Sequence, residues 1–306
     1  MRRTKTAAAL LISLTLPLIV GRIAAEPDPF LARIEEISQT PQTHGTEHLD
    51  ELVALGAEAV PAIGAVLLSG PTFPITFVEA LERIGDERGA APIVEFISKQ
   101  APYSDGDRST LTARSIQALR GVKNPAVCDP VVSILRDETA HPRVRLAAAS
   151  TCANLCSGHI RAEAQRFVLD AYDNRSRYTA DANRGFSEQE LFPALIDVDN
   201  EESLAILLGV LEAGAPGYIA LPVVDYLAGK QDARAASGLE RAVHDSYNYE
   251  PYVRLAMARA LLDGAGSRAQ SLRLAIDELF DEATRGGYAK EIIDEAQRLK
   301  ARAAQL

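Results

Sequence analysis

Three residues near the N-terminus have the types and spacing of a zinc-hydrolase centre. They are His44, Glu47 and His48, in the pattern H-x-x-E-H. Two imidazoles on one helical face can bind Zn²⁺, and a neighbouring carboxylate can take a proton from zinc-bound water. A zinc-dependent hydrolase is therefore the alternative function that the sequence offers.

The residues around this motif disfavour a zinc site. A ligating pair needs a helix through the motif, whereas Gly45 and Thr46 indicate a turn and a helix cap. The motif resembles that of the inverted zinc peptidases, which take a third ligand, a Glu well downstream, and this chain has no Glu between Glu95 and Glu138. We expect Glu47 to favour the start of a helix, and we predict no metal and no cofactor.

The chain has three cysteines, Cys128, Cys152 and Cys156. Cys152, Cys156 and His159 do not have the spacing of a zinc knuckle or a haem attachment site. A disulfide in an oxidising compartment is the better interpretation. Cys152 and Cys156 would have to bridge one turn of a single helix, which suits disulfide geometry poorly. Neighbouring antiparallel helices bring Cys128 and Cys152 to a similar height, so we favour that pair, with Cys128–Cys156 as the alternative and one free thiol. Three reduced, buried cysteines are the remaining interpretation.

Two polar segments interrupt the apolar pattern and carry Tyr and Arg, which combine apolar contact area with hydrogen-bond donors. The first is residues 170–184, and the second precedes the last full repeat. The predicted contact residues are Tyr172, Arg175, Arg177, Tyr178, Tyr247 and Tyr249. The competing interpretation is that both segments are solvated connections. We expect a protein or peptide partner.

The first 25 residues predict a secretory signal peptide outside the fold. They begin with Arg2, Arg3 and Lys5, continue through an apolar stretch broken by a proline, and end on the small residues Ala24 and Ala25. The apolar run is shorter than the roughly 20 residues needed to cross a bilayer. We expect cleavage after Ala25, a periplasmic or secreted protein, and no membrane insertion after cleavage.

Cleavage would leave an acidic protein. The 306 residues contain 32 Lys and Arg against 42 Asp and Glu, and the leader holds four of the basic residues and no acidic one, so 28 against 42 gives a mature charge near −14. Such a surface repels phosphate backbones and anionic lipid, so we expect neither nucleic acid nor membrane among the partners. With 47% hydrophobic and 24% charged residues, the composition is that of a globular protein.

One unit recurs along the rest of the chain: an apolar-periodic helix, a short turn rich in Gly, Asp and Asn, and a second apolar helix that often starts near a proline. The leading apolar residues of the seven turns are Leu55, Ile84, Leu119, Leu155, Ile196, Leu227 and Leu262. Glycine suits the end of a helix and proline the first turn of the next one. The pattern predicts an all-α stack of about seven antiparallel hairpins.

Two copies of P-x-V-R-L-A-x-A lie 109 residues apart, at residues 142–149 and 251–258. Together with residues 78–94 (VEALERIGDERGAAPIV), they resemble bacterial HEAT repeats, including the kind named after phycobilisome lyases. The resemblance covers about residues 46–283 and weakens around 175–200. It implies a right-handed α-solenoid in which Arg145 and Arg254 pair with groups of a neighbouring repeat.

The predicted domain spans residues 26–306, with capping helices at 29–38 and 288–306. Fold says little about function. We expect an exported, non-enzymatic scaffold that presents a surface to a protein or peptide in the cell envelope. Besides the zinc hydrolase, a bilin-lyase-like role is an alternative, which the family name implies and the signal peptide argues against.

Overall fold

The computed structural model describes residues 28–39, 47–179, 185–230, 232–263 and 269–305. These ranges contain α-helices and short 3₁₀ turns and no strand. The α-helices are α1 (Leu31–Gln39), α2 (Glu47–Ala54), α3 (Val60–Ser69), α4 (Pro74–Ile84), α5 (Ala90–Ser98), α6 (Gly106–Val122), α7 (Cys128–Arg136), α8 (Pro142–Leu155), α9 (Gly158–Asp173), α10 (Arg175–Thr179), α11 (Glu188–Val198), α12 (Glu201–Glu212), α13 (Gly217–Ala228), α14 (Ala233–Val243), α15 (Pro251–Asp263), α16 (Ala269–Arg285) and α17 (Lys290–Ala303). The predicted signal peptide, residues 1–25, lies outside the described residues.

The helices alternate between two layers. The first layer contains α2, α4, α6, α8, α11, α13, α15 and α17, each packed on the next in that order. The second contains α1, α3, α5, α7, α9, α12, α14 and α16, which pack on the first-layer helices beside them. Seven hairpins, from α2–α3 to α15–α16, therefore form one stack, with α1 before it and α17 after it. A single hairpin cannot bury its own apolar stripe, so each depends on its neighbours. The predicted all-α solenoid is confirmed.

The turns between paired helices use the residues that the sequence indicated. Gly85 ends α4 with a φ of 70°, a conformation that costs glycine little. The next residue, Asp86, accepts a hydrogen bond from the Arg88 N–H at 2.9 Å and so caps the following 3₁₀ turn. At the corresponding place after α11 stands Asp199, with a φ of 48° that is uncommon for a residue other than glycine. The repeat is therefore altered at this turn.

The segment at residues 170–184 is more helical than we predicted. Its first residues extend α9 to Asp173, and Arg175–Thr179 form the short helix α10. Residues 180–184 lie outside the described residues. A polar composition did not prevent helix formation here, because the tyrosines of the segment pack on aromatic rings of the stack.

Within the described ranges, no single helix has both the length and the apolar composition to cross a bilayer. One pair of consecutive helical segments meets both criteria only when the two are taken together, namely Glu47–Ala54 and Ala57–Ser69. The chain bends by 98° at the break between them.

Candidate functional site

The zinc motif is only partly described by the structure. Glu47 and His48 lie in the first turn of α2, whereas His44 lies outside the described residues. His48 borders a small cleft between α1 and α4, beside Ile37 and Phe77. Among the described residues, no group of three His, Cys, Asp or Glu side chains is placed to hold a metal ion.

The structure pairs the cysteines differently from the favoured prediction. Cys128 and Cys156 form the disulfide, with their Cα atoms 5.8 Å apart, and Cys152 is free and buried. The Cys128–Cys152 prediction is therefore wrong, and the structure shows the alternative pair. A common height for Cys128 and Cys152 requires Cys128 to lie a full turn inside its helix, but Pro125–Val127 form a separate 3₁₀ turn, so Cys128 is the first residue of α7. Its counterpart at the same height is the residue just past the end of α8, which is Cys156.

Cys152 lies one turn earlier on α8 and faces the core. Its side chain is fully buried, and burial raises the pKa of its thiol to about 12. The thiol therefore stays protonated at neutral pH and is a poor nucleophile. Because it lies in the core, its thiol does not reach Cys128 at the start of α7.

The predicted contact residues of the α9–α10 segment lie side by side but are largely engaged with one another. The Arg175 guanidinium lies 4.2 Å from the centroid of the Tyr172 ring. Tyr178 stacks on Phe186 with centroids 4.7 Å apart. Arg177 is exposed. The segment thus forms a packed aromatic corner on the stack, and of its four predicted contact residues Arg177 is the exposed one.

In the second polar segment, one of the two predicted contact residues is accessible and the other is buried. Tyr249 is 3% exposed and donates its hydroxyl to the Leu211 carbonyl at 2.6 Å, so its prediction as a partner contact is wrong. The burial arises because the α14–α15 turn folds back against the end of α12. Tyr247, two residues earlier in the same turn, is 94% exposed. The sequence places both in one polar segment and does not distinguish them.

Tyr247 belongs to a group of exposed tyrosines, and the sequence did not indicate its member Tyr218. Tyr218 in the first turn of α13 is 54% exposed and Tyr252 in the first turn of α15 is 39% exposed. The Tyr252 hydroxyl lies over Gly217, where a Cβ would come within 2.2 Å of it. We call Tyr218, Tyr247 and Tyr252 the tyrosine edge. Since α13 and α15 are sequential first-layer helices and run parallel, their first turns lie along the same edge of the stack.

Next to this edge, a groove of about 730 Å³ lies between the α14–α15 turn and α16. We call it the C-terminal groove. Its walls are formed by His244 and Ser246 of the turn, by Arg254 of α15, by Leu274, Asp277, Glu278, Asp281, Glu282 and Arg285 of α16, and by Gly286 and Tyr288 after it. Leu274 is 59% exposed, although it is a large apolar residue. The groove therefore combines accessible apolar surface with four carboxylates and two arginines.

A separate polar cluster joins three first-layer helices. Asp197 of α11 accepts hydrogen bonds from Arg120 of α6 and from Ser150 and Asn154 of α8, the last at 3.2 Å. Burial is the largest influence on the Asp197 carboxyl and raises its pKa above the ordinary value of 3.8, against the opposing charge of Arg120. The cluster connects α6, α8 and α11 and has the contacts of a structural link.

Asp199 extends this polar region toward α13. It accepts hydrogen bonds from the Tyr226 hydroxyl, at 2.8 Å, and from the Lys230 ammonium. The Lys230 contact lowers the pKa of Asp199. A cavity of about 470 Å³ is lined by Asp197 and Asp199 together with Arg161 and Asp225. The sequence had shown that the usual Gly-Asp turn is replaced here, and the structure shows that the replacement residues bind to neighbouring repeats.

No protein-family model and no curated protein matches the chain. Among solved structures, that of human deoxyhypusine hydroxylase in complex with glycerol aligns over 90% of this chain and 97% of the other, at 15% identity and a TM-score of 0.33. It is a HEAT-repeat-type helical protein. The expectation of a non-enzymatic protein is corrected by this comparison, since the matched protein is an enzyme. No residue role is transferred at this level of similarity.

Proposed function

We propose that this chain is an exported helical-repeat protein that binds a partner protein or peptide in the cell envelope. The observation that carries the proposal is the tyrosine edge, where the rings of Tyr218, Tyr247 and Tyr252 are exposed along one edge of the stack. Tyrosine is enriched at protein interfaces, because its ring supplies apolar area and its hydroxyl a hydrogen bond. Stacked repeats offer such residues on a surface that stays rigid without a partner.

Export is part of the proposal and rests on the basic and apolar leader that ends at Ala25. N-terminal sequencing of the protein recovered from the periplasm or the culture fluid should begin at Glu26. Recovery from the cytoplasm with Met1 retained would contradict it. The finer resemblance, to repeats of the phycobilisome-lyase kind, likewise rests on the sequence, chiefly on residues 78–94.

The binding proposal is tested by affinity capture from envelope fractions with three forms of the mature protein. The wild type is compared with a Tyr218→Ala, Tyr247→Ala variant and with Phe73→Ala. Phe73 is a matched control, because it is a 49% exposed aromatic residue that immediately precedes α4, in the second hairpin and so several repeats away from α13 and α15. We expect the double variant to lose the captured partner and Phe73→Ala to retain it. Equal capture by all three forms would contradict the proposal.

A further inference from the structure

We propose that the C-terminal groove receives a basic segment of the partner, an extended stretch of peptide that carries Lys or Arg. This inference rests on the proposed function and gives the chemistry of the partner. The groove lies beside Tyr247, so one bound segment could contact both surfaces.

The first argument is the charge that the groove leaves uncompensated. Two carboxylates of α16 already have cations: Glu282 binds Arg254 at 2.6 Å and Asp277 binds Lys300 at 2.9 Å. Asp281 has no ion pair within the described residues, although Arg285 of the groove donates its Nε to the Asp281 main-chain carbonyl at 3.2 Å. Glu278 is 67% exposed, and in the described part of the chain the basic group within 4.0 Å of it is the His244 ring. The four carboxylates thus face three permanent cations, Arg254, Arg285 and Lys300, and one negative charge is left over.

Glu278 and Asp281 are three residues apart on α16, so their side chains lie on neighbouring turns of one helix face. A Lys or Arg side chain would satisfy both carboxylates, and an acidic segment would be repelled by them. The exposed Leu274 on the same helix offers apolar contact to the methylene stem of such a side chain. Tyr247 offers a ring to a second cation.

The second argument comes from comparing the two copies of the P-x-V-R-L-A-x-A motif. In α8, Arg145 donates its Nε to the Leu135 carbonyl at 3.0 Å, and the Phe167 ring of α9 covers its guanidinium with 4.9 Å from Cζ to the centroid. In α15, Arg254 repeats the first contact, donating its Nε to the Val243 carbonyl at 2.6 Å. Among the described residues Arg254 has no cation–π contact, and its guanidinium instead binds Glu282 of α16 through Nη1. A ring in one repeat is therefore replaced by a carboxylate in the other.

Arg254 is nevertheless 2% exposed, which makes its remaining donor informative. Its Nη1 binds Glu282, whereas Nη2 has no hydrogen-bond partner in the described part of the chain. A guanidinium donates five hydrogen bonds and accepts none, so this nitrogen is suited to an acceptor from outside the chain. A main-chain carbonyl of an extended segment supplies one, while the basic side chain of that segment reaches Glu278 and Asp281. The volume of the groove, about 730 Å³, is within the range of ligand sites.

The test uses two fluorescein-labelled peptides on the mature protein, one of alternating Lys and Ala and one of alternating Glu and Ala. Fluorescence anisotropy should show binding of the Lys peptide, weakened by added salt, and no binding of the Glu peptide. In a Glu278→Gln, Asp281→Asn variant, binding of the Lys peptide should be about tenfold weaker, which corresponds to about 1.4 kcal/mol.

A Glu35→Gln, Glu58→Gln variant is the matched control. It removes the same number of charges from exposed positions in α1 and in the α2–α3 turn, and it should bind the Lys peptide like the wild type. Absence of Lys-peptide binding, equal binding of both peptides, or an equal loss in the two charge variants would overturn the inference.

Capture of the natural partner separates this inference from the proposed function. A partner that the groove variant retains and the Tyr218→Ala, Tyr247→Ala variant loses would overturn the role of the groove and leave the proposed function intact. A partner retained by both variants would overturn the proposed function.

Discussion

The disulfide between Cys128 and Cys156 should be the largest single contribution to the stability of the middle of the stack. It joins the start of α7 to the residue after α8, so it connects two successive hairpins. We consider a Cys128→Ser, Cys156→Ser variant, which removes the cross-link and leaves the buried Cys152 in place.

The expected magnitude follows from the length of chain that the bond closes. A sequence separation of 28 residues, in the chain-entropy relation for cross-links, gives about 3.6 kcal/mol at 25 °C. In a chain of this size, each kcal/mol shifts the melting temperature by about 2–4 °C. The double variant should therefore melt about 7–14 °C below the wild type.

Calorimetry with and without a reducing agent measures this effect. The wild type and a Cys152→Ala control should both lose stability on reduction, whereas the double variant should not respond. Peptide mapping of the non-reduced protein should recover the peptides that contain Cys128 and Cys156 as one cross-linked product. A reductant-insensitive wild type, or a cross-link that includes Cys152, would refute the reasoning.

Three further changes test other contacts of the stack. Gly121→Ala should destabilise the protein in urea unfolding, because a Cβ there would lie 2.6 Å from the Glu82 backbone oxygen; Gly209→Ala, whose Cβ meets nothing within 4 Å, should instead stabilise α12 by up to about 1 kcal/mol. Tyr249→Phe should cost about 1 kcal/mol in the same assay through the lost hydrogen bond to Leu211; an unchanged urea midpoint would contradict that bond. Asp197 has a raised pKa in the folded state, so its contribution to stability is complete below pH 3.8 and is lost as the pH rises through the folded value. The Asp197→Asn variant should lack this fall in unfolding free energy. Urea titrations at a series of pH values measure it, and a variant whose unfolding free energy changes with pH as steeply as that of the wild type would contradict the assignment.

The repeat pattern was sufficient to predict the fold, because the same residue types mark the same boundary in successive units. Ile84 ends α4 and Leu155 ends α8, as their turns indicated. The boundaries that the sequence misjudged are those where a 3₁₀ turn precedes the second helix of a hairpin. Proline and the apolar period continue through such a turn, so the pattern cannot separate it from the helix. That one-turn error at Pro125–Val127 changed the predicted partner of Cys128.

The candidate site was harder to predict, because exposure depends on contacts between units. Tyr247 and Tyr249 are two positions apart in one turn, and only the position of α12 determines that the second is buried. Arg145 and Arg254 have the same local sequence, and only the helices that follow them determine that one guanidinium lies under the Phe167 ring and the other binds Glu282. Neither difference can be read from the apolar periodicity of the sequence, because both depend on contacts between repeats.

This contrast between equivalent positions also bears on where a repeat protein acquires a binding site. The contact between Arg254 and Val243 has the same form as that between Arg145 and Leu135, so the structural role of the arginine is preserved in both copies. Because that contact does not depend on what covers the guanidinium, the covering residue can change without loss of the repeat interface. Such a change costs the stack little stability, since the guanidinium is already held in place by its contact within the repeat. At the C-terminal groove the contact of Arg254 with the Val243 carbonyl is retained, and Glu282 of α16 binds the guanidinium where Phe167 covers that of Arg145.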